Sequence, residues 1–166
     1  MSRGFVKEED QEEAPMIPPR AVLPSGMINY VTPEGLQALK EEKKELERAY
    51  AQNQGMDETD LRRKRAVIDG QLQLLSERIG SARVIRPSDQ PEEEIRFGAK
   101  VRVKDLGTGQ ENEFRIVGVD EADIKRKKIS FVAPLARALL GHRKNQEVTL
   151  HLGKEDRNLL IMDISY

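Results

Sequence analysis

The groups best suited to chemistry are crowded into one short stretch. The carboxylates Asp57, Glu58 and Asp60 follow Gly55, and the cations Arg62, Arg63, Lys64 and Arg65 come directly after them. At the start of a helix such carboxylates can cap backbone N–H groups and sit well in the positive end of the helix dipole. Turned outward, the same oxygens are open to an external partner. The cationic run reads either as a solvated helix face or as a contact for phosphate. Other chemistries are poorly supplied. With no Cys there is no disulfide, thiolate metal site or Cys nucleophile, which fits a reducing cytoplasm. His142 and His151 lie nine residues apart without a carboxylate or His at i+4 spacing, so they read as surface histidines rather than zinc ligands. Gly107-Thr-Gly109 lacks the remaining glycines and basic residue of a phosphate loop, and no Gly-x-Ser-x-Gly elbow occurs. Intrinsic catalysis is not expected.

The surrounding elements must hold this charged stretch in place. Thr32-Pro33-Glu34 predicts a helix start, with Thr as N-cap, Pro at the first helical position and Glu near the dipole. Leu36, Leu39, Lys43, Leu46 and Tyr50 then recur at spacings of three and four. After the turn-like Gln52-Asn-Gln-Gly55, a second seam follows as Leu61, Arg65, Ile68, Leu72, Leu75, Ile79 and Ala82. Two narrow seams predict an antiparallel coiled-coil hairpin spanning 30–86, with the charged stretch at its tip. The same seams also permit a helical bundle formed with a second copy.

Residues 87–94 contain two prolines and a charge run and read as a linker. From 95 to 166 the period changes to alternation, in Phe97 to Lys104, in Phe114 and Ile116, in Ile129 to Phe131 and in Val148 to Leu152. This predicts a β-rich domain with a turn at Leu106–Gln110, a short helix over Pro134–Leu140 ending at Gly141, and a closing strand over Leu159–Tyr166. Residues 1–29 join an acidic run to four prolines and predict a flexible tail, with Phe5-Val6 and Met16-Ile17 as possible docking anchors. The 28 Lys and Arg nearly cancel the 29 Asp and Glu, so no global field draws the chain onto bare nucleic acid. No apolar run approaches the roughly 18 residues of a membrane span, and the N-terminus has no signal core, which predicts a cytoplasmic protein.

Phe97-Gly98-Ala99, Phe114-Arg-Ile-Val-Gly118 with Asp120-Glu-Ala-Asp123, Ile129-Ser and Ala133-Pro-Leu-Ala-Arg-Ala-Leu-Leu140 together resemble the C-terminal domain of the Gre family of bacterial transcription elongation factors, GreA and GreB. Val31-Thr-Pro-Glu-Gly-Leu36, Ile68-Asp69 and Ala82-Arg-Val-Ile85 resemble the two ends of the Gre hairpin. The resemblance implies an α+β protein: an N-terminal antiparallel coiled-coil hairpin followed by an FKBP-like antiparallel β-sheet domain with a short helix. It implies a monomer that docks this domain on bacterial RNA polymerase and projects the hairpin through the secondary channel. Nascent RNA or DNA would then be met only within the polymerase complex. It also implies tip carboxylates, here Asp57 and Glu58, that share a Mg ion with the polymerase active site to promote cleavage of backtracked RNA, with no cofactor bound alone. Pro134, Leu135 and Arg137 become candidates for the polymerase surface, and Arg62–Arg65 for extruded RNA.

The tip departs from that pattern. Gre factors usually carry Gly-Asp-Leu-x-Glu-Asn-Ala, whereas this chain has Gly55-Met-Asp-Glu-Thr-Asp60 and a hairpin about two heptads shorter. A channel-occupying modulator that leaves RNA intact is therefore the alternative mechanism, and a self-assembling coiled-coil module the alternative of another class. Leu135, Leu139 and Leu140 also read as packing against the sheet. Ile124-Lys-Arg-Lys-Lys128 reads as a solvated turn or an electrostatic contact. An FKBP-like isomerase is disfavoured, because there is no Trp and Phe97, Phe114 and Phe131 suit core positions.

Overall fold

Local residue chemistry sets where the helices begin. In the computed structural model, which describes residues 13–166, the Thr32 side chain accepts the Gly35 N–H at 2.9 Å and Pro33 opens helix α1, Pro33–Ala51. Asp57 does the same for helix α2, Glu58–Ser81, accepting the Asp60 N–H at 2.8 Å. The helices pack as an antiparallel pair in which Leu39, Ile68 and Leu75 are buried along the predicted seams. Two short strands, β1 (Tyr30–Val31) and β2 (Arg83–Val84), pair in parallel and close the base of the hairpin. At roughly 1.5 Å per residue, the 19 residues of α1 make a rod about 28 Å long.

A single turn of 3₁₀ helix, Pro87–Asp89, leads into the second part. Strands β3 (Lys100–Asp105), β4 (Glu111–Val117), β5 (Lys128–Ser130), β6 (Glu147–Leu152) and β7 (Glu155–Ser165) form one sheet in the order β5-β4-β3-β7-β6. Alternation puts Val101, Val103, Phe114, Ile116, Val148, Leu150, Leu159 and Ile161 on the core face. Helix α3, Pro134–Leu139, closes this core with Ala136 and Leu139 as its chain crosses from one sheet edge to the other. The sheet is mixed rather than wholly antiparallel: β5 runs parallel to β4. The 3₁₀ turn at Ile124–Arg126 and the left-handed Lys127 bring the chain back in that direction, with φ of 56° at Lys127. Residues 124–127 thus form the turn, with the Ile124 side chain almost fully exposed, while Lys128 opens β5 and pairs with Glu121.

The predicted tail needs revision over its second half. Residues 13–29 include side chains held on both the hairpin and the sheet domain: Arg20 pairs with Glu42 and Asp120, Ile17 sits against Gly70, and Leu23 leans on the main core. Of the proposed anchors, Ile17 is packed and Met16 is 90 % exposed, while Phe5-Val6 and the acidic run up to Glu12 lie outside the described residues.

Candidate functional site

At the hairpin tip every residue from Ala51 to Asp60 is exposed. Gly55 turns the chain with φ of 74°, a conformation costly for side chains bearing Cβ. One oxygen of Asp57 is engaged by the cap, leaving its second oxygen and the carboxylates of Glu58 and Asp60 directed at solvent in the first turn of α2. Among the described residues, no group of three or more His, Cys, Asp or Glu could hold a metal alone. The tip residues therefore fit a shared Mg only as a contribution of one or two oxygens beside ligands supplied by another molecule.

The basic run divides by its contacts. Lys64 Nζ donates to Gln52 O at 3.0 Å, and Arg65 Nε to Tyr50 O at 3.3 Å. The Arg65 guanidinium also lies 5.1 Å from the Tyr50 ring centroid. These cations cover carbonyls that the end of α1 leaves without helical partners, at the negative pole of its dipole. Arg65 and Tyr50 occupy facing seam positions, which explains a cation at an otherwise apolar site. Arg62 and Arg63 are exposed on the surface of α2.

In the sheet domain Pro134 starts α3, Leu135 packs partly against the core, and Arg137 is exposed. Pro134 and Arg137 are thus more exposed than Leu135. Phe97, Phe114 and Phe131 are buried, and the Tyr30 ring from the hairpin base meets Phe97 at a tilt and Phe131 edge-on, with centroids 5.8 and 5.6 Å apart. The hairpin is thereby anchored on aromatic surface of the sheet domain.

A charged joint between the two parts was missed by reading the sequence. Asp120, whose side chain is 8 % exposed, lies 2.9 Å from Arg20 Nη2 and 3.1 Å from Arg78 Nε. Arg20 also forks onto Glu42 through bonds of 2.7 and 3.1 Å, and Arg78 Nη2 donates to Ala21 O at 2.6 Å. Hydrogen bonding to Glu42, reinforced by the charges of Asp120 and Glu42, holds the Arg20 guanidinium even more firmly protonated than usual. Next to this quartet Thr32 Oγ1 donates to Glu121, which also pairs with Lys128 Nζ at 3.3 Å. The sequence signal was the Asp120-Glu121 pair within the block that resembles Gre factors, but nothing local names Arg20, 100 residues away, as a partner of Asp120.

The chain is similar to known proteins along most of its length. Residues 90–166 match the family model "Transcription elongation factor, GreA/GreB, C-term". Transcription elongation factor GreA of Thermodesulfovibrio yellowstonii is 36 % identical over 151 residues, covering 82 % of this chain and 96 % of the relative. GreA of Syntrophotalea carbinolica is 39 % identical over 99 residues, covering 60 % of this chain and 63 % of the relative. Among solved structures, GreA factor homolog 1 (Gfh1) of Thermus thermophilus aligns with 84 % of this chain and all of its own at 21 % identity and a TM-score of 0.40. On the strength of its near full-length similarity to GreA, the chain belongs to the GreA/GreB family of transcription elongation factors.

Proposed function

We propose that this chain binds bacterial RNA polymerase through its sheet domain, using the surface around Pro134 and Arg137, and extends its hairpin into the secondary channel to modulate elongation. The observation that carries this reading is the polarity of the molecule within a GreA/GreB frame: the core lies at one end, and a fully exposed acidic turn lies at the end of a helical rod. Asp57, Glu58 and Asp60 are the groups offered to the polymerase active site, where one or two of them would complete the shell of a Mg ion and assist hydrolysis of backtracked RNA. The chain is an accessory to another enzyme's chemistry and not itself an enzyme.

Channel occupancy without cleavage is the second reading. Asp57 is committed to capping α2. The alignment with the Thermodesulfovibrio relative runs over 151 positions, while 82 % of the present 166 residues is about 136, so about 15 positions lack a counterpart here. That shortfall is about equal in size to the two heptads by which the hairpin sequence reads as shorter than the Gre pattern. Cleavage assays on backtracked complexes separate the two. Stimulated hydrolysis lost in Asp57→Ala/Glu58→Ala/Asp60→Ala supports the first mechanism; binding that displaces a GreA factor and leaves RNA intact supports the second. Absence of any association with polymerase core at micromolar concentration sinks both. The self-assembly alternative is weakened because the seams are covered within one chain, and sedimentation of a concentration-independent monomer would remove it.

A further inference from the structure

We propose that residues 13–29 act as a strap that fixes the direction of the hairpin relative to the sheet domain, with Arg20 as its latch. The base of the hairpin is already seated on the sheet domain by Tyr30 against Phe97 and Phe131 and by Thr32 on Glu121. Attachment at one end leaves a rod free to pivot. Arg20 supplies a second attachment farther along, because Glu42 lies nine residues beyond Pro33, about 14 Å up the helix. Through one planar guanidinium it joins Glu42 on α1 to Asp120 on the sheet domain, and Asp120 is also paired with Arg78 on α2. The quartet holds two cations and two anions, so its charges balance where the side chains of Arg20, Asp120 and Arg78 are 17 %, 8 % and 12 % exposed. Lys, with its single ammonium, lacks the fork this bridge uses.

The strap has a second built contact. Gly70 lies in the interior of α2, where glycine weakens a helix, and a Cβ there would stand only 2.0 Å from Ile17 Cδ1 and 2.6 Å from Ile17 Cγ1. The missing side chain makes the notch that receives Ile17. Arg78 holds the backbone between these anchors and the core through Ala21 O, and Leu23 joins the core. The match to the family model begins only at residue 90, well after the strap.

The test needs no polymerase, so its outcome is separate from that of the proposed function. The sequence has no Cys, and spin labels can therefore be placed solely at Gln54→Cys on the tip and Lys154→Cys on the exposed β6–β7 turn of the full chain. The parent should give one narrow tip-to-sheet distance distribution by pulsed electron spin resonance. Ile17→Ala/Arg20→Ala should at least double its width with helix content retained, and Arg20→Lys should fall between. Should the double variant lose its helix signal, Arg20→Lys and Gly70→Ala carry the test, and both should broaden the distribution. Parent-like widths in the folded variants, or equal broadening in a remote Arg63→Ala control, overturn the proposal.

Discussion

Asp57 carries two competing demands, and substitution can separate them. Its side chain caps α2, and Asn serves as an N-cap nearly as well as Asp, whereas Ala costs about 1 kcal/mol. Asp57→Asn should therefore keep the urea midpoint of the parent while Asp57→Ala lowers stability by about that amount. If Asn costs as much as Ala, charge rather than capping is what this position needs. Tyr166 offers a second single-residue test. Its hydroxyl donates to Glu94 O at 2.6 Å and accepts the Arg96 N–H at 2.9 Å, and burial raises its pKa above the ordinary 10.0. A raised acid pKa gives stability that is complete below the unfolded value and lost as pH climbs through the folded one. Tyr166→Phe should thus cost about 1 kcal/mol near pH 8, with the gap to the parent closing well above about pH 10 in paired urea titrations. A gap that widens with pH contradicts this assignment.

At the scale of the element, the hairpin depends on each helix closing the other. Lys64 and Arg65 of α2 occupy the carbonyl end of α1, so the basic run behind the tip is partly structural. Lys64→Ala/Arg65→Ala should lower hairpin stability by about 1–2 kcal/mol and speed amide exchange around residues 48–52, whereas Arg63→Ala should not. An equal effect from Arg63→Ala would contradict this division. The contrast also explains what could be read from sequence. Thr32 and Asp57 announce their helices because a cap contacts residues only two or three positions away. The seams and the alternating strands were legible for the same reason, since period is local. Arg20 and Asp120 meet across a separation of 100 residues, and the parallel β5 depends on one left-handed residue, Lys127. A proline-rich acidic segment satisfies the composition rules for disorder, yet Ile17 and Arg20 find partners that folding alone brings near. At the candidate site, position was legible in Gly55 and its carboxylates, but not which oxygens the cap would occupy.

Across the whole molecule, buried apolar groups are unevenly divided, and this predicts an order of opening. Every fully buried member of the main core lies between Ile95 and Ile161, while the hairpin buries Leu39, Ile68 and Leu75 along a seam one side chain wide. Opening near the tip exposes little apolar surface, whereas opening the sheet releases the common core, so local stability should fall with distance from the sheet. Native-state hydrogen exchange should show the slowest amides in β3, β4 and β7, intermediate rates near Leu39 and Leu75, and the fastest around Gln52–Asp60. Uniform protection along both helices would instead mean that the hairpin opens only with the sheet, and the inferred division of stability would be wrong.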